Sequence, residues 1–533
     1  MRRFFLLALV AILVVNVQAQ YREQPYKMSK VVDLISELYV DTVNTSKIVE
    51  TGIIAMLKEL DPHSVYISKD EVKEMNEPLE GNFEGIGIQF NILNDTLMVV
   101  GVIPSGPSER VGLMAGDKIL NIDEENVAGM GLTNKMVMER LRGKKGTIVN
   151  VDIKRGKSSE LLHFRIVRDK IPIYSVDAAY MADKENHIGY IKINKFAATT
   201  TQEYKKAIDG LVKEGMKHLI LDLTDNGGGY LSAGFDLANQ FLSWGQTVVT
   251  TKGTKIRPQV YSSNGLSDAK YGKLVVMINE NSASASEIVS GAIQDWDRGV
   301  LVGRRTFGKG LVQNQFPLND GSMIRLTVAR YYTPTGRCIQ RPYNDGVDEY
   351  EKEFIERYNS GELVNADSIH LSTTEKYYTL VNGREVYGGG GIMPDIFVPI
   401  DTTFATKYYS QMVRKGIFNK FVLTYVNNNR EKLEGKYKSK NGSNFEKFKK
   451  DFVVTDKFLQ DLVDFATKEK LKLNESEYER SKEHMRVNLK AAIARDLFDS
   501  GEFYQIINSV DPIYNEAIEV IKNDNLYNAK LNP

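Results

Sequence analysis

Three serines stand at alternate positions in Asn281-Ser-Ala-Ser-Ala-Ser-Glu287, and Lys309 lies between Gly308 and Gly310 with Gln313 four residues further on. A serine hydroxyl attacks a carbonyl only when a base takes its proton. Histidine is the usual base, but the six histidines (His63, His163, His187, His218, His370 and His484) all fall outside these segments. A lysine can serve instead if burial or a neighbouring positive charge lowers its pKa from the usual ~10.4. The pattern therefore predicts serine–lysine hydrolysis of an acyl bond. The competing reading is structural: Ser282, Ser284 and Ser286 would also cap the helix that follows, and by local physics alone capping has the edge.

Two further segments bear on that chemistry. Asp222-Leu-Thr-Asp-Asn226 ends an apolar run and leads into Gly227-Gly228-Gly229. Glycines after a strand let backbone amides point into a cleft, where they can stabilise an oxyanion, although a flexible turn would look the same. Gly303 to Lys309 fits the first seven positions of a phosphate-binding loop, but the eighth is Gly310 where a magnesium-binding hydroxyl is needed. A β-like run, Met323 to Val328, follows in place of the required helix, so nucleotide binding is set aside.

These residues need elements to hold them. From about Ile188 to Pro399 strands and helices alternate, as in an α/β domain. The predicted strands are Ile188 to Ile193, His218 to Leu223, Leu274 to Asn279 and Val300 to Gly303. The predicted helices are Thr201 to Glu214, Ala233 to Phe241 and Ser286 to Asp295. A polar, tyrosine-rich stretch from about 337 to 387 reads as an insertion, after which Gly388 to Asp395 returns tightly to the domain. Upstream, Phe83 to about Arg168 carries short β-rich runs between glycine and proline turns, with one helix at Asn134 to Leu141. Met28 to Leu60 has apolar residues at helical spacing and predicts a helical cap, closed by Asp61-Pro62. After Asp401 helical periodicity returns at Met485 to Leu497 and Ile513 to Ile521, while lysine-dense Arg430 to Lys450 reads as a solvated surface or linker.

Composition narrows the function. The 533 residues carry 69 basic and 69 acidic side chains, so no bulk positive charge draws nucleic acid. Met1-Arg2-Arg3, an apolar run from Phe4 to Val15 and Val17-Gln18-Ala19 form the pattern of a secretory signal peptide cleaved after Ala19. No later segment is long and apolar enough to span a membrane, which predicts an exported, soluble mature chain in the periplasm or cell envelope. Cys338 is the single cysteine, excluding an internal disulfide and predicting a packed thiol. No metal or organic cofactor is expected.

Taken together, the segments resemble known families. Gly85-Ile86-Gly87-Ile88 and Gly112 to Leu120 resemble a PDZ domain, in which Gly85, Ile86, Gly87 and Ile88 would receive a peptide's terminal carboxylate. Leu60-Asp-Pro-His-Ser64, Asp222 to Gly229, Ser282 to Ile288, Thr306 to Gln313 and Gly389 to Asp395 are similar to motifs of the C-terminal processing peptidases, or tail-specific proteases. The resemblance implies Ser284 as nucleophile, Lys309 as base and Gln313 as the residue orienting that lysine. It implies oxyanion donors at the amide of Ala285 and at a glycine, with Gly228 favoured over Gly229. Thr224 departs from the family, which often has arginine there.

The implied fold is multidomain α+β: a β-rich PDZ domain, an α/β spiral (ClpP/crotonase-like) serine protease core, a helical N-terminal region and a helical C-terminal extension. The expected divisions are 1–19, 20–80, 81–170, 171–400 and 401–533. Expected partners are protein or peptide substrates with free apolar C-termini, an adaptor protein and a second copy of the chain. The alternatives are a catalytically silent PDZ scaffold and a structural envelope protein assembled through its C-terminal helices.

Overall fold

A computed structural model describes residues 23–156, 158, 160–265, 272–370, 375–439 and 442–532. The expected signal peptide lies outside these residues. The chain divides into two compact units. The first holds the described residues up to Val72 with Gln313–Thr327 and Tyr343–Glu351, and the second holds Lys73–Val312, Val328–Pro342 and the chain from Lys352 onward.

In the first unit, a helix over 23–38 and the helix Thr45–Lys58 realise the predicted helical region. Asn44 caps the second helix through the Lys47 amide. Leu38, Ile54 and Leu60 are exposed. The strand Val65–Ile67 pairs antiparallel with Met323, Ile324 and Arg325.

The second unit contains the PDZ domain. Its strands Ile88–Leu93, Thr96–Val102, Lys118–Ile122, Ile148–Lys154 and Leu161–Val167 lie in that order in one antiparallel sheet. The helix Asn134–Leu141 forms over the predicted residues, capped by Thr133, and buries Val137 and Leu141 among Leu97, Ile119 and Ile153.

The protease core is a six-stranded sheet ordered Val176–Asp183, Ile188–Ile193, His218–Asp222, Leu274–Ile278, Val300–Gly303 and Ile396–Phe397. Its first pair is antiparallel and the rest parallel. Both faces are covered, which is why the inner strands read as unbroken apolar runs. Leu219, Leu221, Val276 and Ile278 meet the helices Thr200–Lys213, Leu231–Ala238 and Ala285–Asp295. Ile220, Val275 and Met277 point the other way, against Ile513, Ala517, Val520 and Ile521 of the helix Pro512–Lys522.

Two expectations need correction. The insertion is not irregular throughout: it holds the helix Val347–Asn359 and the hairpin Lys376–Tyr378 with Glu385–Tyr387. The helix went unread because its inward positions carry Tyr350 and Arg357, which an apolar-periodicity count passes over. The lysine-dense stretch is not a linker either. It ends the helix Ile417–Tyr437 and forms Phe445–Asp451, with Leu433, Tyr437, Phe445 and Phe448 buried between the lysines.

Candidate active site

Three loops leave the carboxyl ends of three neighbouring parallel strands, His218–Asp222, Leu274–Ile278 and Val300–Gly303, the edge where open α/β sheets place their ligands. Ser284 follows the middle strand and opens the helix Ala285–Asp295 with φ 56° and ψ −111°. A non-glycine residue in that region is strained, and such strain is held in place by its surroundings where a site uses it.

The flanking serines are committed to joining loops. Ser282 Oγ donates to the Leu223 carbonyl (2.8 Å) and Ser286 Oγ to the Asn226 carbonyl (2.8 Å). Both acceptors belong to the loop after His218–Asp222, so the two hydroxyls tie the serine loop to the glycine loop. Of the three, Ser284 alone combines the strained backbone with an incompletely buried position.

The glycine loop comes close enough to require its glycines. At Gly228, φ +96°, an added Cβ would lie 2.8 Å from Ser284 Cβ and 3.0 Å from the Ala285 nitrogen. At Gly229 it would lie 2.0 Å from the Phe196 carbonyl oxygen. The Gly228 amide is given to Asn226 Oδ1 (2.9 Å), whereas the amides of Gly229 and Ala285 donate to no group among the described residues. This reverses the preference between the glycines, because an amide already donating has no hydrogen to spare.

Lys309 sits in a segment, 304–310, with no regular secondary structure. Its backbone groups still need partners where they are buried. Glu287, wholly buried one turn after Ser284, supplies several. Its Oε1 accepts from Thr306 Oγ1 (2.6 Å) and the Gly308 amide (2.7 Å), and its Oε2 from the Ser284 amide (2.7 Å) and the Lys309 amide (2.9 Å). Burial pushes the Glu287 carboxyl up to about 7 against the pull of these donors. Four donors with no acceptor fit the ionised form. Tyr331 Oη lies 2.6 Å from the Lys309 carbonyl and 3.0 Å from that of Ser284, a second bridge between the loops.

Sequence reasoning missed both bridging residues. Glu287 had a signal in the serine–x–x–glutamate spacing of a capping box. Tyr331, on a strand far along the chain, had none.

The family's usual arginine is replaced by Thr224, and Lys192 on the adjacent strand brings a cation there. Its Nζ donates to Asp222 Oδ1 (3.0 Å), the Thr224 carbonyl (2.6 Å) and Thr224 Oγ1 (2.7 Å). Tyr190 Oη fills the other Asp222 oxygen at 2.6 Å. Cys338 is partly buried, and burial pushes its thiol up, as for a packed side chain.

Gln313 belongs to the first unit, where its Nε2 donates to the His63 carbonyl. The turn around His63 is fixed by Asp61, which accepts from the amides of His63 (2.8 Å) and Ser64 (2.9 Å) and from Ser64 Oγ (2.6 Å). The Leu60 to Ser64 motif is thus a carboxylate-locked turn presenting a carbonyl to Gln313.

Gly85, Ile86, Gly87 and Ile88 all line one cavity of about 80 Å³ on the PDZ domain. Phe90, Val137 and Leu141 give it an apolar wall. The Ile86 carbonyl is held by the Ser108 amide (3.0 Å) and hydroxyl (2.7 Å), which fixes the loop.

Comparison with known proteins matches residues 187–349 to peptidase family S41 and 85–166 to a PDZ domain. Residues 14–71 match the N-terminal domain of the activating protease CtpB, and 408–499 a family of unknown function. A probable CtpA-like serine protease of Staphylococcus epidermidis is 31% identical over 453 residues, 84% of each chain. One from Staphylococcus aureus is 36% identical over 315 residues, 59% of this chain and 62% of the relative. Among solved structures, a photosystem II D1 C-terminal processing protease is 29% identical, covers 58% of this chain and 82% of its own, and has a TM-score of 0.33.

Proposed function

Since the chain belongs to the C-terminal processing peptidases of family S41, whose members here are serine peptidases joined to a PDZ domain, we propose that it is an exported endopeptidase using Ser284 and Lys309 through an acyl-enzyme. One observation carries this reading: the amides of Ser284 and Lys309 share a single buried carboxylate oxygen, Glu287 Oε2. Two loops that had no chemical relation would not need a common anchor of that cost.

In the proposed reaction, neutral Lys309 takes the Ser284 proton and the oxygen attacks the scissile carbonyl. The amides of Ala285 and Gly229 receive the oxyanion. The protonated lysine gives its proton to the leaving amine, and the acyl-enzyme forms. Lys309 then activates water, and hydrolysis restores the serine. Gln313, with Nε2 given to His63, presents a carbonyl oxygen of the polarity needed to orient a lysine N–H. The PDZ groove takes a free apolar C-terminus, a reading supported by its apolar wall and by the glycine-flanked loop above it.

Lys309→Ala should abolish turnover while leaving tail binding to the PDZ domain intact, measured by peptide-binding calorimetry beside a cleavage assay. Undiminished cleavage by that variant would sink the assignment.

A further inference from the structure

We propose that Arg357, in the insertion, is a positioning residue for Lys309; the claim rests on the serine–lysine reading above. Arg357 and its partner Glu362 lie between the stretches matched to known families, 187–349 and 408–499. The Arg357 side chain is only 3% exposed, yet it contacts no substrate-facing group. Its two terminal nitrogens donate in a fork to consecutive carbonyls of the lysine loop, Arg305 (2.8 Å) and Thr306 (3.0 Å).

Glu362 holds the fork in place. Its Oε1 accepts from Arg357 Nε at 2.8 Å and from Arg305 Nε at 2.8 Å, and its Oε2 from Arg305 Nη2 at 2.7 Å. Arg305 continues to the Gly390 carbonyl at 2.7 Å. Two guanidinium groups thus share one carboxylate in a dry setting, leaving a net positive charge buried. Well-packed apolar side chains would serve bare stability as well or better. What they could not do is satisfy consecutive carbonyls in a segment without secondary structure.

The lysine loop is therefore clamped from two sides. Glu287 takes the amides of Gly308 and Lys309, and Arg357 takes the carbonyls just before them. Phe307, between the two grips, lies under the Arg341 guanidinium at 4.3 Å. With both grips in place, the direction in which the chain presents Lys309 is set. Losing the carbonyl grip leaves Glu287 holding a chain free to swing about Thr306.

The test uses the full chain with Arg357→Ala and Arg357→Lys. Cleavage of an unfolded protein gives kcat, KM and their pH dependence, and hydrogen exchange reads the amides of 306–310. For Arg357→Ala we expect faster exchange at Gly308 and Lys309 and a loss of about 100-fold in kcat, the scale of a small misplacement of a reacting group. KM should hold, and the acid limb of kcat should move. Arg357→Lys, able to reach one carbonyl, should recover part of the loss. Unchanged exchange would overturn the proposal, as would faster exchange with wild-type kcat. A Ser284→Ala enzyme as active as wild type would instead defeat the serine–lysine reading, while the exchange comparison would still decide whether Arg357 holds the loop.

Discussion

Glu287 is the residue on which the catalytic loops meet, and its chemistry makes them sensitive to pH. An ionised carboxylate accepts from all four of its donors; a protonated one has an O–H of its own to place and loses acceptor capacity. With its titration moved up to about 7, cleavage should decline below that pH as the shared anchor protonates. Stability should respond in the opposite sense. The folded-state value lies above the ordinary ~4.3, so the group's favourable contribution is complete below that ordinary value and is lost as pH rises through about 7. Glu287→Gln should therefore flatten the acid limb and lower kcat. The melting difference between wild type and variant should move toward wild type as the pH falls. An unaltered acid limb in Glu287→Gln would show that another group controls it.

The helix Pro512–Lys522 illustrates how a distant element can be part of the catalytic domain. Ile513, Ala517, Val520 and Ile521 recur at helical spacing and cover the second face of the core sheet. Tyr527, in the next helix, Asp524–Leu531, donates to the Leu274 carbonyl (3.2 Å) and accepts from the Leu274 amide (3.1 Å). Leu274 begins the strand that ends before Ser284. A chain ending at Asp511 should thus fail to fold, by circular dichroism, and Ile521→Ala should cost about 2–5 kcal/mol in urea unfolding. Normal melting and cleavage by the truncated chain would contradict this role. The central strands and the helix Asn134–Leu141 were legible because apolar period and caps agree with the fold. The C-terminal helices were only partly so. Periodicity found Ile513 to Ile521 but not which face of which sheet it would cover, since that is decided by contacts hundreds of residues apart. In the insertion, a buried arginine stood where the pattern looks for leucine. At the site, Ser284 and Lys309 were readable from their motifs, whereas the engagement of the Gly228 amide by Asn226 is a matter of loop geometry.

At the scale of the whole molecule, the PDZ groove and the serine site divide the work of selecting and cutting. The groove supplies binding that does not change during bond cleavage, so altering it should act mainly on KM. Amidating the C-terminus of a substrate should raise KM with kcat little changed, and substituting the apolar wall at Val137→Asp should do the same. Identical kinetics for free and amidated tails would separate the PDZ domain from substrate capture. Among the described residues no helix is long and apolar enough to cross a membrane. The most direct measurement of the central claim compares wild type with Ser284→Ala on an unfolded protein bearing an apolar C-terminus, reading products and intact enzyme by mass spectrometry. The account predicts fragments and an acyl adduct on Ser284 with wild type alone. Equal cleavage by Ser284→Ala, or an adduct on another residue, would contradict it.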